Sequence, residues 1–294
     1  MEARQQDVER VTSEQRSRWD SSSQSYNEVV IRRGTMEANA RQVIAAVQQH
    51  FQNSTDICIL DIASNGGNPA LPLAKAMPHA HVVATDLSPV AVSFISDYAL
   101  AEGVDNVKSQ AADAQNLEQF QDCSFGAVTC SYGLMFMPDH ARALREAYRV
   151  LKPGGLYVAS VWAALDKFPF GQMFVEVLKE LAGDAKLPSS PYTPWRFGDP
   201  VQLLQDLKEA NFSNVECTPY SHNMTWTLPD LIQFQVGPNG QSRPSLDRLK
   251  ALGRDNIDEE AQKVMRSVLE KQGVLTGDKV HFENTAFLFT AIKQ

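Results

Sequence analysis

The chain has 294 residues, 43% of them apolar, which is enough to bury a sizeable core and sets aside intrinsic disorder as a description. Its 35 acidic against 27 basic residues leave a net charge of -8, which repels a phosphate backbone and counts against nucleic-acid partners. The longest mainly apolar run, residues 156–165, is about half of what a bilayer crossing needs, so no membrane span is expected.

The first segment, residues 1–50, opens on the charged MEARQQDVER with no export signal and reads as a polar helix interrupted near residues 21–23. It is expected to form an N-terminal helical flap. Residues 51–161 alternate short β-type runs with helical patterns, the signature of an α/β domain whose parallel sheet is covered by crossover helices. The strand candidates are residues 57–62, 81–85, 107–111, 125–130 and 155–161. Cys58 and Cys130 fall inside two of these strands and read as packing residues. With Cys123 and Cys217 the cysteines show no CxxC pairing, so a reducing, cytoplasmic setting is the expectation. The segment DHARALREAYRVLKPGG spaces Ala141, Leu144, Ala147, Tyr148 and Leu151 by three and four, then stops at Pro153, Gly154 and Gly155, which predicts an amphipathic helix feeding a strand. Residues 162–294 continue with a helix that gives way to the Pro/Ser-rich DAKLPSSPYTPWRFGDP, a mobile loop by composition. A helix over residues 200–210, a strand over 215–226, helices over 228–276 broken by GPNGQSRPS, and a strand over 280–292 follow.

The chemistry-bearing stretch is ILDIASNGGNPALPLA, where a strand ends in Asp61 and turns through small residues into a helix. Such a turn aims backbone N–H groups at a ligand, although a plain strand-to-helix turn relieved by glycine has the same look. A GxGxxG spacing is absent, which weakens a dinucleotide-dependent reductase reading. About 20 residues on, HVVATDLSP sets Asp86 at the tip of the second strand, where a carboxylate can accept both ribose hydroxyls or cap the helix opening at Ser88. Asp113 follows the third strand, either as acceptor for an exocyclic adenine amine or as a turn residue.

With LDIASNGGNPAL, VVATDLSP, ADAQNL and FGAVTCSYGLMFMPDHARALREAYRVLKPGGLYVAS in this order and spacing, the sequence resembles the class I S-adenosylmethionine-dependent methyltransferases, in the branch that includes the ubiquinone/menaquinone-biosynthesis enzymes. The resemblance covers residues 15–161. It implies a seven-stranded Rossmann-like sheet with an antiparallel last strand, helical lid insertions, and S-adenosyl-L-methionine across the strand ends. The segments 215–226 and 280–292 would then be strands six and seven. The family's glycine loop falls on Asp61, Ala63, Asn65 and Gly67, its ribose acid on Asp86, its adenine-side acid on Asp113, and its residue after strand four on Ser131, with Leu87 and Ala112 beside the two acids. WDSSSQSYNEVV resembles the family's Trp-Asp followed by a Tyr, which makes Tyr26 a cap over the methionine end. Ala63 and Asn65 depart from the family's glycines.

The implied activity is methyl transfer to a small-molecule acceptor by in-line displacement; the alternative is a non-catalytic cofactor-binding regulator or scaffold. Such transfer needs alignment and water exclusion more than a fixed base, and none of the six histidines is singled out as one. No metal is expected. Aromatics gather in the added segments, among them Trp162, Phe168, Phe170, Trp195 and Trp226. Trp195, between proline and glycine, is the acceptor-pocket candidate, while Trp162 and Trp226 read as glue between lid and core.

Overall fold

The computed structural model describes residues 2–31, 33–52, 56–187 and 190–294. Residues 1, 32, 188 and 189, which belong to the expected flap and Pro/Ser-rich stretch, lie outside it. Strands β1 (Cys58–Ile62), β2 (His81–Asp86), β3 (Val107–Ala111), β4 (Phe125–Ser131), β5 (Leu151–Trp162), β6 (Phe212–Thr227), β7 (Leu275–Thr276) and β8 (Lys279–Lys293) form one sheet in the order β3-β2-β1-β4-β5-β8-β6, with β7 paired to β8. The first five run parallel, and β8 is antiparallel to both β5 and β6. This is the expected seven-stranded architecture plus one two-residue strand, β7, that hairpins onto β8 and that sequence gave no sign of.

The central strands β1 and β4 are mostly apolar because helices cover both faces. In β1, Ile59, Leu60, Asp61 and Ile62 are all buried, as a parallel strand covered on two sides demands. One face packs α2 (Glu37–His50), α3 (Ala70–Ala76) and α4 (Pro89–Glu102) through Val43, Val47, Leu73 and Ile95. The other packs α5 (His140–Val150), α6 (Pro169–Ala182) and α7 (Pro200–Glu209) through Leu144, Ala147, Met173 and Leu203. Helix starts follow their caps: Ser88 Oγ accepts from Ala91 N at 3.1 Å, and Asp139 Oδ1 accepts from Arg142 N at 2.9 Å. Gly155 lets β5 press onto β4, since a Cβ there would stand 2.9 Å from the Gly126 carbonyl oxygen.

The N-terminal segment departs from its expectation. Helix α1 (Glu2–Tyr26) runs unbroken through the three serines and continues into a π-helical turn at Asn27–Ile31. Ser21, Ser22 and Ser23 each donate to the carbonyl four residues back, Ser17, Arg18 and Trp19, so hydroxyls that compete with a helix in isolation are satisfied within it. Docking then selects the helix: Asp20 Oδ1 accepts from Ser88 Oγ at 2.5 Å, and Gln115 Nε2 donates to Thr12 Oγ1 at 3.1 Å. The helices after β6 are α8 (Leu228–Val236), α9 (Arg243–Ala251) and α10 (Ile257–Lys271). Helix α8 packs on α1 and α10 on α6, while α9 packs on α8 and α10, with Phe234, Met265 and Leu246 in the shared core.

Because β8 bridges β5 and β6, its core side chains hold the C-terminal third to the sheet. Phe289 is fully buried. Phe289→Ala is expected to lower unfolding free energy by about 3–5 kcal/mol, read by urea denaturation; a loss below about 1 kcal/mol would mean that β8 is not a core strand.

Candidate active site

The chain lays β2 and β3 outward from β1, then returns to place β4 on β1's other side. The ends of β1 and β4 therefore diverge, and a crevice opens where open α/β sheets bind ligands. Ala63, Ser64 and Asn65 after β1, Ser131 at the end of β4, and Tyr132 and Gly133 after it form its floor. Asp86 at the end of β2 with Leu87 after it, and Ala112 and Asp113 after β3, form one end. Helix α1 closes the top with Gln15, Trp19 and Tyr26, and Trp162, Phe170, Trp195, Trp226 and Phe234 wall the far end.

The loop after β1 is held under strain. Ala63 (φ 57°) and Asn65 (φ 44°) take the left-handed conformation that glycine adopts freely, and Tyr132 (φ 54°) does so across the crevice. Strained non-glycine residues persist where their surroundings over-determine them, and three converge on this cavity. The Ala63 methyl fits because its neighbour has none: a Cβ on Gly133 would stand 2.4 Å from Ala63 Cβ. Asn65 is gripped at both ends, its amide N–H donating to Asp86 Oδ2 at 2.9 Å and its side-chain oxygen accepting from Asn27 Nδ2 at 2.9 Å. Gly66 admits that second contact, since a Cβ there would lie 1.5 Å from Asn27 Oδ1.

Asp86 also accepts from Ser88 N at 2.9 Å, while Ser88 itself caps α4. The acid therefore braces two loops and does not cap the helix. Burial raises its pKa to about 6 against these backbone hydrogen bonds, and Asp20 nearby adds to the rise. Asp113 accepts from the Gln115 backbone and side-chain amides at 2.9 and 3.1 Å, the turn role, and still lines the cavity. Asp61 and Gly67 do not reach the lining. Asp61 is fully buried beneath the loop, accepting from Ser64 Oγ and Thr129 Oγ1 at 2.5 Å each, and burial raises its pKa to about 7. Gly67 (φ 91°) faces Leu71 and Ile95.

The family model described as a methyltransferase domain matches residues 60–159. A demethylmenaquinone methyltransferase of Geobacillus kaustophilus is 30% identical over 172 residues, covering 55% of this chain and 73% of that one. The chain belongs to the class I S-adenosylmethionine-dependent methyltransferases. The demethylmenaquinone methyltransferase of Thermus thermophilus is 38% identical over 116 residues, and the matched part spans about half of that relative, 52%, and 40% of this chain. In fold, the chain is similar to a Haemonchus contortus phosphoethanolamine N-methyltransferase solved with S-adenosyl-L-methionine, at TM-score 0.51 and 18% identity, covering 86% of this chain and 52% of that one.

Within this methyltransferase fold the lid side holds residues that sequence reading left out. Trp162 stacks between Tyr132 (4.1 Å, 7°) and Phe168 (4.5 Å, 14°), and Trp226 stacks on Phe170 (5.7 Å, 13°). Both tryptophans glue the lid and also face the cavity, as Trp195 does. The Pro/Ser-rich stretch is tied down beyond residue 190: Arg196 donates to the Met137 carbonyl at 2.8 Å, and Phe197 is buried. Behind the wall, Tyr132 Oη lies 2.5 Å from His222 Nδ1 and 2.8 Å from Tyr220 Oη. His222 Nε2 faces the Thr35 carbonyl at 2.8 Å, so Nε2 carries the hydrogen and Nδ1 accepts from Tyr132. Sequence offered one signal for this pair, a tyrosine directly after Ser131, but nothing that brought residue 222 to it.

Two tests follow from this geometry. Gly133→Ala is expected to destabilise by about 1–3 kcal/mol through the clash with Ala63, and Ala63→Gly in the same chain is expected to recover most of the loss. Additive effects in thermal or urea unfolding would refute the contact. Burial pushes His222 down to about 4 from its ordinary 6.5. The neutral ring's contribution is thus complete above pH 6.5 and disappears as pH falls through 4. The stability difference between wild type and His222→Asn should shrink over that window by up to ~3 kcal/mol. A difference that does not vary with pH would take His222 out of the buried network.

Proposed function

We propose that this chain binds S-adenosyl-L-methionine in the crevice at the β1/β4 divergence and transfers its methyl group to a small organic acceptor held under the aromatic lid. The observation that carries this reading is one continuous cavity. It runs from Asp86 and Asp113, at the nucleoside side, past Ala63 and Ser131 to Trp195, Trp226 and Phe234. The residues present fit the cofactor. Asp86 keeps lone pairs for two vicinal hydroxyls after accepting Asn65 N and Ser88 N, because an ionised carboxylate offers about four acceptor sites. Ser131 Oγ is buried without a hydrogen-bond partner among the described residues, and a ligand at the floor would satisfy it.

When bound, S-adenosyl-L-methionine supplies a methyl group made electrophilic by a sulfonium. In the proposed assignment, Asp86 and Leu87 seat the ribose, Ala112 and Asp113 border the adenine, and Ala63, Asn65 and Ser131 with Tyr26 surround the methionine end. Asp61 and Gly67 support the loop from below without touching the ligand. The residue 1–50 flap and the lid within residues 162–294 exclude water and align the acceptor in line with the methyl carbon, the two services such a transfer requires of a protein.

The relatives' names support methyl transfer, and the small, partly apolar cavity supports a small-molecule acceptor over a macromolecule. No helix of the described residues is long and apolar enough to cross a membrane, which agrees with a cytoplasmic setting.

Asp86→Asn tests the cofactor site. The loss of one hydrogen bond to a charged acceptor, worth about 1.5–3 kcal/mol, predicts S-adenosylhomocysteine affinity about 10- to 100-fold weaker by calorimetry. In the wild type, affinity should fall as pH drops through about 6, where Asp86 takes up its proton, and the variant should lack that step. Equal affinities for the two proteins would remove Asp86 from the site.

A further inference from the structure

Arg18 is the cavity's uncommitted cation. It stands on α1 beside the stripe formed by Gln15 and Trp19, lines the cavity, and is half-buried. Its guanidinium carbon lies 5.8 Å from the Phe136 ring centroid, and among the described residues its side-chain hydrogen bond is a long 3.4 Å contact to Gln241 Oε1, in the turn between α8 and α9. Among the described residues no carboxylate pairs with it. Burial alone depresses its pKa, with no acidic neighbour acting the other way. Elsewhere in the chain Arg149 pairs with Glu146 and Asp122, Arg243 with Asp247 and Asp258, and Arg254 with Glu260, while Arg196 donates at 2.8 Å to the Met137 carbonyl. A guanidinium stays charged when shielded, so leaving one without a counter-ion costs stability unless a ligand supplies it.

Other polar groups lining the cavity are unmatched in the same sense. Gln241 Nε2 and Trp226 Nε1 are buried N–H donors without acceptors. Gln15 Oε1 and Gln235 Oε1, on two further lining residues, are also unmatched, and a rotated amide presents a donor in place of the oxygen. The walls between are apolar: Phe234 lies 5.2 Å from Trp226 and 6.1 Å from Tyr26, ring to ring. The cavity's acids are already engaged and lie elsewhere, Asp86 with Asn65 and Ser88 and Asp113 with Gln115. Arg18 also lies nine residues, roughly 13 Å along the helix, from the Asn27 clasp on the β1 loop, and its partner belongs to the lid.

We propose that Arg18, with the Gln241 amide, is an anion subsite for the methyl acceptor, and that the acceptor is a small organic acid carrying a carboxylate or phosphate on an aromatic or apolar body. This rests on the cofactor reading above. A forked guanidinium recognises either anion through two parallel N–H bonds, and the surrounding rings desolvate the rest of the molecule. The subsite fixes the acceptor at the end away from the methyl donor, which orients the atom to be methylated without touching it.

The test is calorimetry on the full chain saturated with S-adenosylhomocysteine, using benzoate and phenyl phosphate as probes and neutral benzamide as the control. At least one anion should bind, benzamide about tenfold more weakly or not at all. Arg18→Gln should cost the anion about tenfold or more, and Arg18→Lys should retain part of the affinity. Benzamide binding as tightly as benzoate, failure of both anions, or an unchanged Arg18→Gln would overturn the subsite. So would Arg18→Gln weakening S-adenosylhomocysteine while sparing methylthioadenosine, because the guanidinium would then belong to the methionine carboxylate. Absence of S-adenosylhomocysteine binding by the wild type, seen before any probe is added, defeats the cofactor reading and the subsite with it.

Discussion

Two hydrogen bonds at 2.9 Å, from Asn65 N and Ser88 N to the Asp86 carboxylate, tie the loop after β1 to the turn after β2. That bond pair sets the shape of the crevice. It holds Asn65 in a left-handed conformation costing about 1–2 kcal/mol, and the side chain so positioned receives Asn27 from the end of α1. Helix α1 is thereby registered on the sheet at one end by Asn27 and further back by Asp20 on Ser88. A single carboxylate at a strand tip thus organises the floor, the rim and the cover of the cavity. Its own charge stays costly to bury, and the raised pKa reflects this.

The two halves of the cavity are built on opposite principles. The side at Asp86 and Asp113 consists of backbone loops and short polar groups whose partners are mostly fixed, and it draws rigidity from the parallel strands beneath. The lid side consists of stacked rings, Tyr132–Trp162–Phe168 and Phe170–Trp226, with polar atoms left unmatched among them. Fixed dipoles suit a ligand that is always the same. Apolar walls with a few uncommitted donors suit discrimination among acceptors, since burying a donor without its partner penalises the wrong molecule.

Strain and packing compensate locally. Ala63 stands where the family uses glycine, and the structure absorbs its methyl against the bare backbone of Gly133, which lies seventy residues later in the chain. Departure at one position and permissiveness at the other form one feature, so the altered loop is not by itself a sign of a broken site.

Much of the fold was legible in the sequence because its signals are local. The apolar runs, the turn residues between them and the spacing of DHARALREAYRVLKPGG marked five parallel strands and the helix before the last. The acids at the ends of the second and third strands, Asp86 and Asp113, marked the crevice rim. What escaped depended on partners distant in the chain. The serines near residue 22 read as a break, yet their hydroxyls bond within the helix once α1 has a surface to dock on. Asp61 reads like a ligand-facing acid but turns under the loop to Ser64 and Thr129. Tyr132 meets His222, and Arg18 meets Gln241, across ninety residues and more. Sequence by itself determined which segments form strands and helices, because hydrophobic periodicity and capping act over a few residues. Only the tertiary structure decided which polar groups face the cavity and which are left without partners, because burial and hydrogen-bond matching are properties of the assembled chain.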